Sequence, residues 1–165
     1  MWLVGMMGSG KSTVGSGAAT RVGARFYDTD AMIEEMSQMP ISTIWEEIGE
    51  KGFRALERRV IATIPDAGCI AAAGGGAVID AENRDHMRRG EPVVWLQGSP
   101  RHLASRIGAG ESRPLLGNET SPEERVAELL EARREFYAEV ATDVVETDGR
   151  EIEDVVAEVV ELWRR

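Results

Sequence analysis

Cysteine, histidine and proline are scarce in this chain, which carries one, two and six of them. The lone cysteine, Cys69, excludes an internal disulfide, and no Cys/His cluster offers metal-ligand spacing. That usage suits a reducing compartment, and a cytoplasmic location is the expectation. Long apolar runs are missing too. The opening "MWLVG" gives way at once to glycine and polar residues, too short for a signal-peptide core or a membrane span, so no membrane partner is expected. Basic residues are outnumbered, 19 against 29 acidic ones, for a formal charge of −10. A surface of that sign repels a phosphate backbone and excludes nucleic acid as an expected partner. Converging Arg and Lys side chains can still hold a small anion against the global field. Repeats and low-complexity tracts are also lacking, which removes solenoid and disordered readings.

What remains is a chain of 165 residues, the size of one domain able to bury a core without disulfides or metal. Short apolar stretches at residues 1–4, 24–28, 69–73, 92–96 and 143–147 read as strands. Between them lie helical patterns. "KSTVGSGAATRV" opens from a glycine loop, and Gly15 and Gly17 within it suit close packing on the sheet. "TDAMIEEMS" has Thr29 as its expected N-cap. Residues 41–64 form two helical stretches divided near Gly49 to Gly52, and "ENRDHMRRG" is a solvated helix carrying His86. "SPRHLASRI" and "SPEERVAELLEARREFYAEVA" both begin with a Ser cap and Pro at the first helical position, and "IEDVVAEVVELWRR" closes the chain. This alternation predicts a single α/β domain with a mostly parallel five-stranded sheet between helical layers. Ligands of such sheets bind beyond the carboxyl ends of the strands, which here read "GMMGSGKST", "DTD" and "GGG".

"GMMGSGKS" satisfies the P-loop pattern with Gly5, Gly10, Lys11 and Ser12 in place, directly after a strand and before a helix. Inward-facing backbone N–H groups and the helix N-terminus suit the phosphates of a nucleoside triphosphate. Lys11 is expected on the β/γ-phosphates and the Ser12 hydroxyl on Mg²⁺. The motif names the phosphoryl donor and leaves the acceptor open.

On the acceptor side, "FYDTD" sets Asp28 and Asp30 two residues apart, on one side of the chain if the extended conformation continues. Carboxylates there suit substrate hydroxyls, the attacking proton, or a water on the metal. In "GEKGFRALE", Glu57 lies one turn from Arg54 and could orient its guanidinium, although such an i,i+3 pair is by itself more often a surface feature. Phe53 reads as core. The stretch "AAAGGGAV" interrupts no α/β alternation, so Gly74 to Gly76 read as the wall of a site and not as a linker. Opposite Asp30 and Arg54, that wall makes a pocket for something small, hydroxylated and anionic. "GAGESRPLLGNETS" is the expected lid, at about residues 108–118, with Arg113 inside it.

The ordered set "GSGKST", "DTD", "GExxFRxxE", "GGGAV", "RPLL" and "RxxxY" resembles the shikimate kinase family over nearly the whole length. The resemblance implies a P-loop kinase fold of the nucleoside monophosphate kinase type, with ATP and Mg²⁺ as cofactors and shikimate as acceptor. It implies that Gly8, Ser9, Gly10, Lys11, Ser12 and Thr13 hold the nucleotide, with Arg106 and Arg150 at the adenine. Lys11, Asp30 and Arg113 would be catalytic, Asp30 binding the reacting hydroxyl and Arg113 stabilising the transferring phosphate. Arg54 and Arg133 would clamp the carboxylate, Gly75 and Gly76 would line the pocket, and Ser12 and Asp28, the latter through water, would attend the metal. Residues of about 30–64 would carry the shikimate side, in a monomer.

The chain departs from the pattern in places. "RREFY" offers both Arg133 and Arg134 as clamp, the spacing to Tyr137 favouring Arg133. "TDGREIED" lacks a proline usual after the adenine-contacting arginine, and no acidic residue ends the strand before "GGG". Another small-molecule or nucleoside monophosphate kinase, or a nucleotide-binding module without catalysis, are the alternative readings.

Overall fold

A computed structural model describes residues 1–90, 92–107 and 121–165. The expected lid with Arg113 lies outside the described residues. Strands β1 (Trp2–Val4), β2 (Arg25–Asp28), β3 (Cys69–Ala72), β4 (Val93–Gln97) and β5 (Asp143–Glu146) alternate with helices. The helices are α1 (Lys11–Val22), α2 (Thr29–Ser37), α3 (Ile41–Ile61), α4 (Ala81–Arg89), α5 (Pro100–Arg106), α6 (Pro122–Val140) and α7 (Ile152–Trp163). A 3-10 turn, Ala77–Ile79, follows the triple glycine. The sheet is parallel throughout, in the order β2-β3-β1-β4-β5. β3 thus lies between β1 and β2, and the loops that follow these three strands meet at one edge of the fold.

Alternation along the central strands divides the core. Trp2 and Val4, Cys69 and Ala71, and Val93 and Trp95 face one side, under α3, α4, α5 and α6. Leu3, Ile70, Val94 and Leu96 face the other, under α1 and α7. Residues buried on both faces explain why these strands read as continuous apolar runs. A third cluster, Ile33, Ile44, Phe53 and Val60, joins α2 to α3 and builds the segment that carries Arg54.

Local chemistry sets the helix ends. Ser99 caps α5 by accepting from the His102 N–H, and Ser121 and Glu124 form a reciprocal capping box on α6, each helix having Pro in its first turn. The division expected within residues 41–64 is a kink at Gly49, whose φ of 65° is a left-handed conformation that favours glycine. Three local expectations are corrected. Asp28, not Thr29, caps α2, because a carboxylate oxygen reaches two N–H groups of the first turn. Gly15 does admit the sheet, since a Cβ there would stand 2.5 Å from Phe26, but Gly17 faces Val156 of α7 and serves helix–helix packing. His86 is half-buried, its ring edge-on to Trp2 and its Nε2 3.1 Å from the Ile64 carbonyl oxygen.

Candidate active site

The loop between β1 and α1 wraps the N-terminus of α1, with Gly8 and Gly10 at φ of 81° and 85°. A Cβ at Gly8 would collide with the Leu103 carbonyl oxygen, so glycine is required there by space as well as by conformation. Lys11 is folded over the loop, its Nζ donating to the Met6 carbonyl at 2.9 Å and lying 3.5 Å from Ser9 Oγ. A cavity of about 400 Å³ opens here, lined among others by Gly8, Gly10, Lys11, Ser12, Thr13, Asp28, Asp30, Gly75 and Arg106. Ser9 is buried beneath it.

Asp28 joins the two halves of the site. Its Oδ2 accepts from the Ser12 hydroxyl at 2.5 Å, while its Oδ1 accepts from the N–H groups of Asp30 and Ala31 at 3.0 and 3.3 Å. Extended backbone therefore does not continue through Asp30, which sits in the first turn of α2; both carboxylates nevertheless line the same cavity. The intervening Thr29 is wholly buried, and its hydroxyl accepts from the Gly74 N–H at 2.9 Å, tying the end of β2 to the triple glycine. Nothing in the spacing distinguished Thr29 as this tether.

Each of the three glycines faces a different group. A Cβ on Gly74 would stand 2.6 Å from Asp30 Oδ1 and 3.0 Å from Glu57 Oε1; on Gly76 it would collide with the Arg54 guanidinium; on Gly75 it would stand 3.3 Å from the Met7 nitrogen of the P-loop. The run is thus the floor on which the phosphate loop, Asp30 and Arg54 meet.

Arg54 and Glu57 form a partly buried pair, which corrects the surface reading. Arg54 Nη1 donates to both Glu57 carboxylate oxygens, at 2.8 and 3.0 Å, and Nη2 lies 3.5 Å from Glu50. Glu57 is 1 % exposed. Burial pushes its carboxyl up to about 7, against the lowering effect of Arg54 and with Asp30 and Asp80 adding to the rise. The Arg54 guanidinium also lies over the rings of Trp45 and Phe53, 5.9 and 5.4 Å from their centroids, and Phe53 is core as expected. Trp45 escaped notice in the sequence because one aromatic on an amphipathic helix reads as packing.

From the other flank, Arg133 is buried and its Nη1 donates to the Gly75 carbonyl at 3.3 Å, whereas Arg134 is exposed and paired with Glu131. Of the two arginines, Arg133 is the one that reaches the glycine turn. Arg106 is exposed at the cavity mouth, where a Cβ on Gly10 would stand 3.5 Å from its Nη1. Arg150 donates to Glu158 at 2.6 Å and to the carbonyls of Glu146 and Asp154, bracing the turn from β5 to α7. Ile152, two residues on, lines the cavity.

Both the sequence and the fold have counterparts among known proteins. The shikimate kinase of Symbiobacterium thermophilum is 43% identical over 162 residues, covering 96% of this chain and 92% of that protein. That of Frankia casuarinae is 45% identical over 154 residues, covering 93% and 67%. A solved structure of shikimate kinase from Acinetobacter baumannii in complex with shikimate superposes with a TM-score of 0.91 at 35% identity, covering 98% of this chain and 90% of that one. The family model for shikimate kinase matches residues 7–164, and the chain belongs to the shikimate kinase family.

Proposed function

We propose that this chain transfers the γ-phosphoryl group of ATP to the 3-hydroxyl of shikimate, giving shikimate 3-phosphate and ADP in aromatic amino-acid biosynthesis. The observation that carries the reading is the convergence of Asp30, Arg54 and Arg133 on Gly74 to Gly76 beside the P-loop. Shikimate carries hydroxyls and one carboxylate on a small ring, and a carboxylate beside two arginines is a suitable set of partners for them. The P-loop amides and Lys11 hold the phosphates in line with the acceptor. Arg54 and Arg133 take the carboxylate, since planar guanidinium forks suit that partner. With the ring so held, Asp30 accepts the hydroxyl proton as the oxygen attacks phosphorus. Arg113 is assigned the charge developing on the transferred group.

The site also suits Mg²⁺. Ser12 and Asp28 bring a hydroxyl and a carboxylate together in the cavity, hard oxygen donors of the kind that cation takes along with waters and substrate phosphates. Among the described residues no cluster of three acidic, His or Cys side chains offers a fuller cage. Held by these two side chains, the cation would supply positive charge against the phosphates of the nucleotide. No helix of the described residues is long and apolar enough to cross a membrane; we assign the enzyme to the cytoplasm, as a monomer.

The reading is tested by coupled ADP release with MgATP, with shikimate, quinate or a panel of nucleoside monophosphates as acceptor. Release is expected with shikimate and to weaken sharply in Arg54→Ala. Release with a nucleotide acceptor instead would overturn the pocket assignment, and none with any acceptor would leave a nucleotide-binding module. Gly76→Ala makes a finer probe, because the added methyl takes the space of the Arg54 guanidinium. Displacing one charge-assisted contact is expected to raise the shikimate KM by about 10- to 100-fold, with the ATP KM held. A normal shikimate KM in Gly76→Ala would remove Arg54 from the clamp.

A further inference from the structure

Tyr137 has no part in the chemistry so far, yet it touches the centre of the glycine floor. It stands four residues after Arg133 on the same face of α6, and both donate to one atom, the Gly75 carbonyl oxygen. The phenol does so at 2.5 Å and Arg133 Nη1 at 3.3 Å. A carbonyl oxygen has two lone pairs, and these two donors account for both.

The phenol is also held rigidly. Tyr137 is wholly buried, and its ring stacks on Trp95 of the central strand β4, with centroids 5.4 Å apart and planes inclined by 21°. Burial pushes its ionisation upward, so the hydroxyl remains a donor across the working pH range. Arg133 Nη1 contacts the Gly75 carbonyl and Met6 Sδ at 3.8 Å, and the guanidinium also interacts with the Tyr137 hydroxyl beside it. One corner of the guanidinium is thereby fixed. Gly75 meanwhile abuts the P-loop at Met7, so movement of its carbonyl would disturb the clamp and the floor together.

We propose that Tyr137 is a positioning residue for the acceptor carboxylate: by anchoring the Gly75 carbonyl it fixes the glycine turn and the acceptor on which Arg133 is oriented. This rests on the reading of Arg133 as a carboxylate clamp. Loss of the phenolic hydroxyl leaves the Gly75 carbonyl to Arg133 alone. The guanidinium is then drawn onto the backbone, or the turn shifts away from it, and either change costs carboxylate affinity. Packing against Trp95 is kept in Tyr137→Phe, so the stacked ring and the hydroxyl are separable.

The test compares Tyr137→Phe, Arg133→Ala and the double variant, by steady-state KM for each substrate and by calorimetric binding of shikimate and of its methyl ester. Tyr137→Phe is expected to weaken shikimate about five- to tenfold, the effect of one neutral hydrogen bond, with the ATP KM unchanged. It should weaken the methyl ester less, because the ester lacks the charge that Arg133 reads. In the double variant the loss should be smaller than the product of the single losses. If Arg133→Ala leaves shikimate binding intact, the clamp reading fails and takes this inference with it. If Arg133→Ala weakens shikimate while Tyr137→Phe does not, or weakens both substrates alike, or combines multiplicatively, the clamp stands and the positioning role is overturned.

Discussion

Asp30→Asn is expected to lower the rate of phosphoryl transfer to shikimate by about 10²- to 10⁴-fold, the usual span for removal of a general base. The substitution keeps the size of the side chain and its capacity to accept a hydrogen bond, but abolishes its ability to take a proton at neutral pH. ATP affinity should stay near that of the parent, because the groups assigned to the phosphates are the P-loop amides and Lys11. The cap of α2 should also survive, since it is Asp28 that accepts from the Asp30 N–H, through the backbone. Binding should therefore separate from chemistry: shikimate should still bind Asp30→Asn, with the loss falling on kcat. A variant with close to full turnover would take Asp30 out of the mechanism. One that loses ATP binding in step with kcat would make Asp30 part of the nucleotide site instead.

Much of this site is legible in sequence because its parts are short-range. The P-loop is a contiguous pattern whose glycines answer to backbone geometry, and the strands announce themselves as apolar runs because the sheet is covered on both faces. The same holds for the caps at Ser99 and Ser121 and for the break at Gly49. What stayed hidden depends on partners distant in the chain. In "DTD" any of the three residues can cap a helix, and only the approach of Gly74 shows that Thr29 is a tether across 45 positions. Arg54 and Glu57 look like an ordinary helical pair until the glycine floor closes over them. Gly17 reads as a sheet-packing residue because α7, its real neighbour, arrives at the end of the chain. Strand order likewise is a fact of tertiary assembly, and with it the meeting of the loops after β1, β2 and β3.

Glu57 supplies the second large effect, on stability. Its carboxyl is raised from an ordinary 4.5 to about 7 in the folded protein, burial outweighing the pairing with Arg54, while Asp30 and Asp80 add to the rise. A group that binds its proton more tightly when folded contributes stability that is complete below about pH 4.5 and is lost as pH climbs through 7. Integrated over that window the loss is about 3 kcal/mol, a sizeable fraction of the stability of a typical domain. Glu57→Gln is neutral at every pH and lacks this slope. Its unfolding free energy, from urea titration, should therefore gain on that of the parent by about 3 kcal/mol between pH 4 and pH 8. The offset at any one pH is a separate matter, because Gln also gives up the charge facing Arg54. Parallel pH curves for parent and Glu57→Gln would mean that pairing with Arg54 offsets burial and leaves the carboxyl at its ordinary value. A gain of Glu57→Gln on the parent across that range, whatever the starting offset, would mean that burial keeps the Glu57 carboxyl protonated up to about pH 7 and that its ionisation above it costs stability.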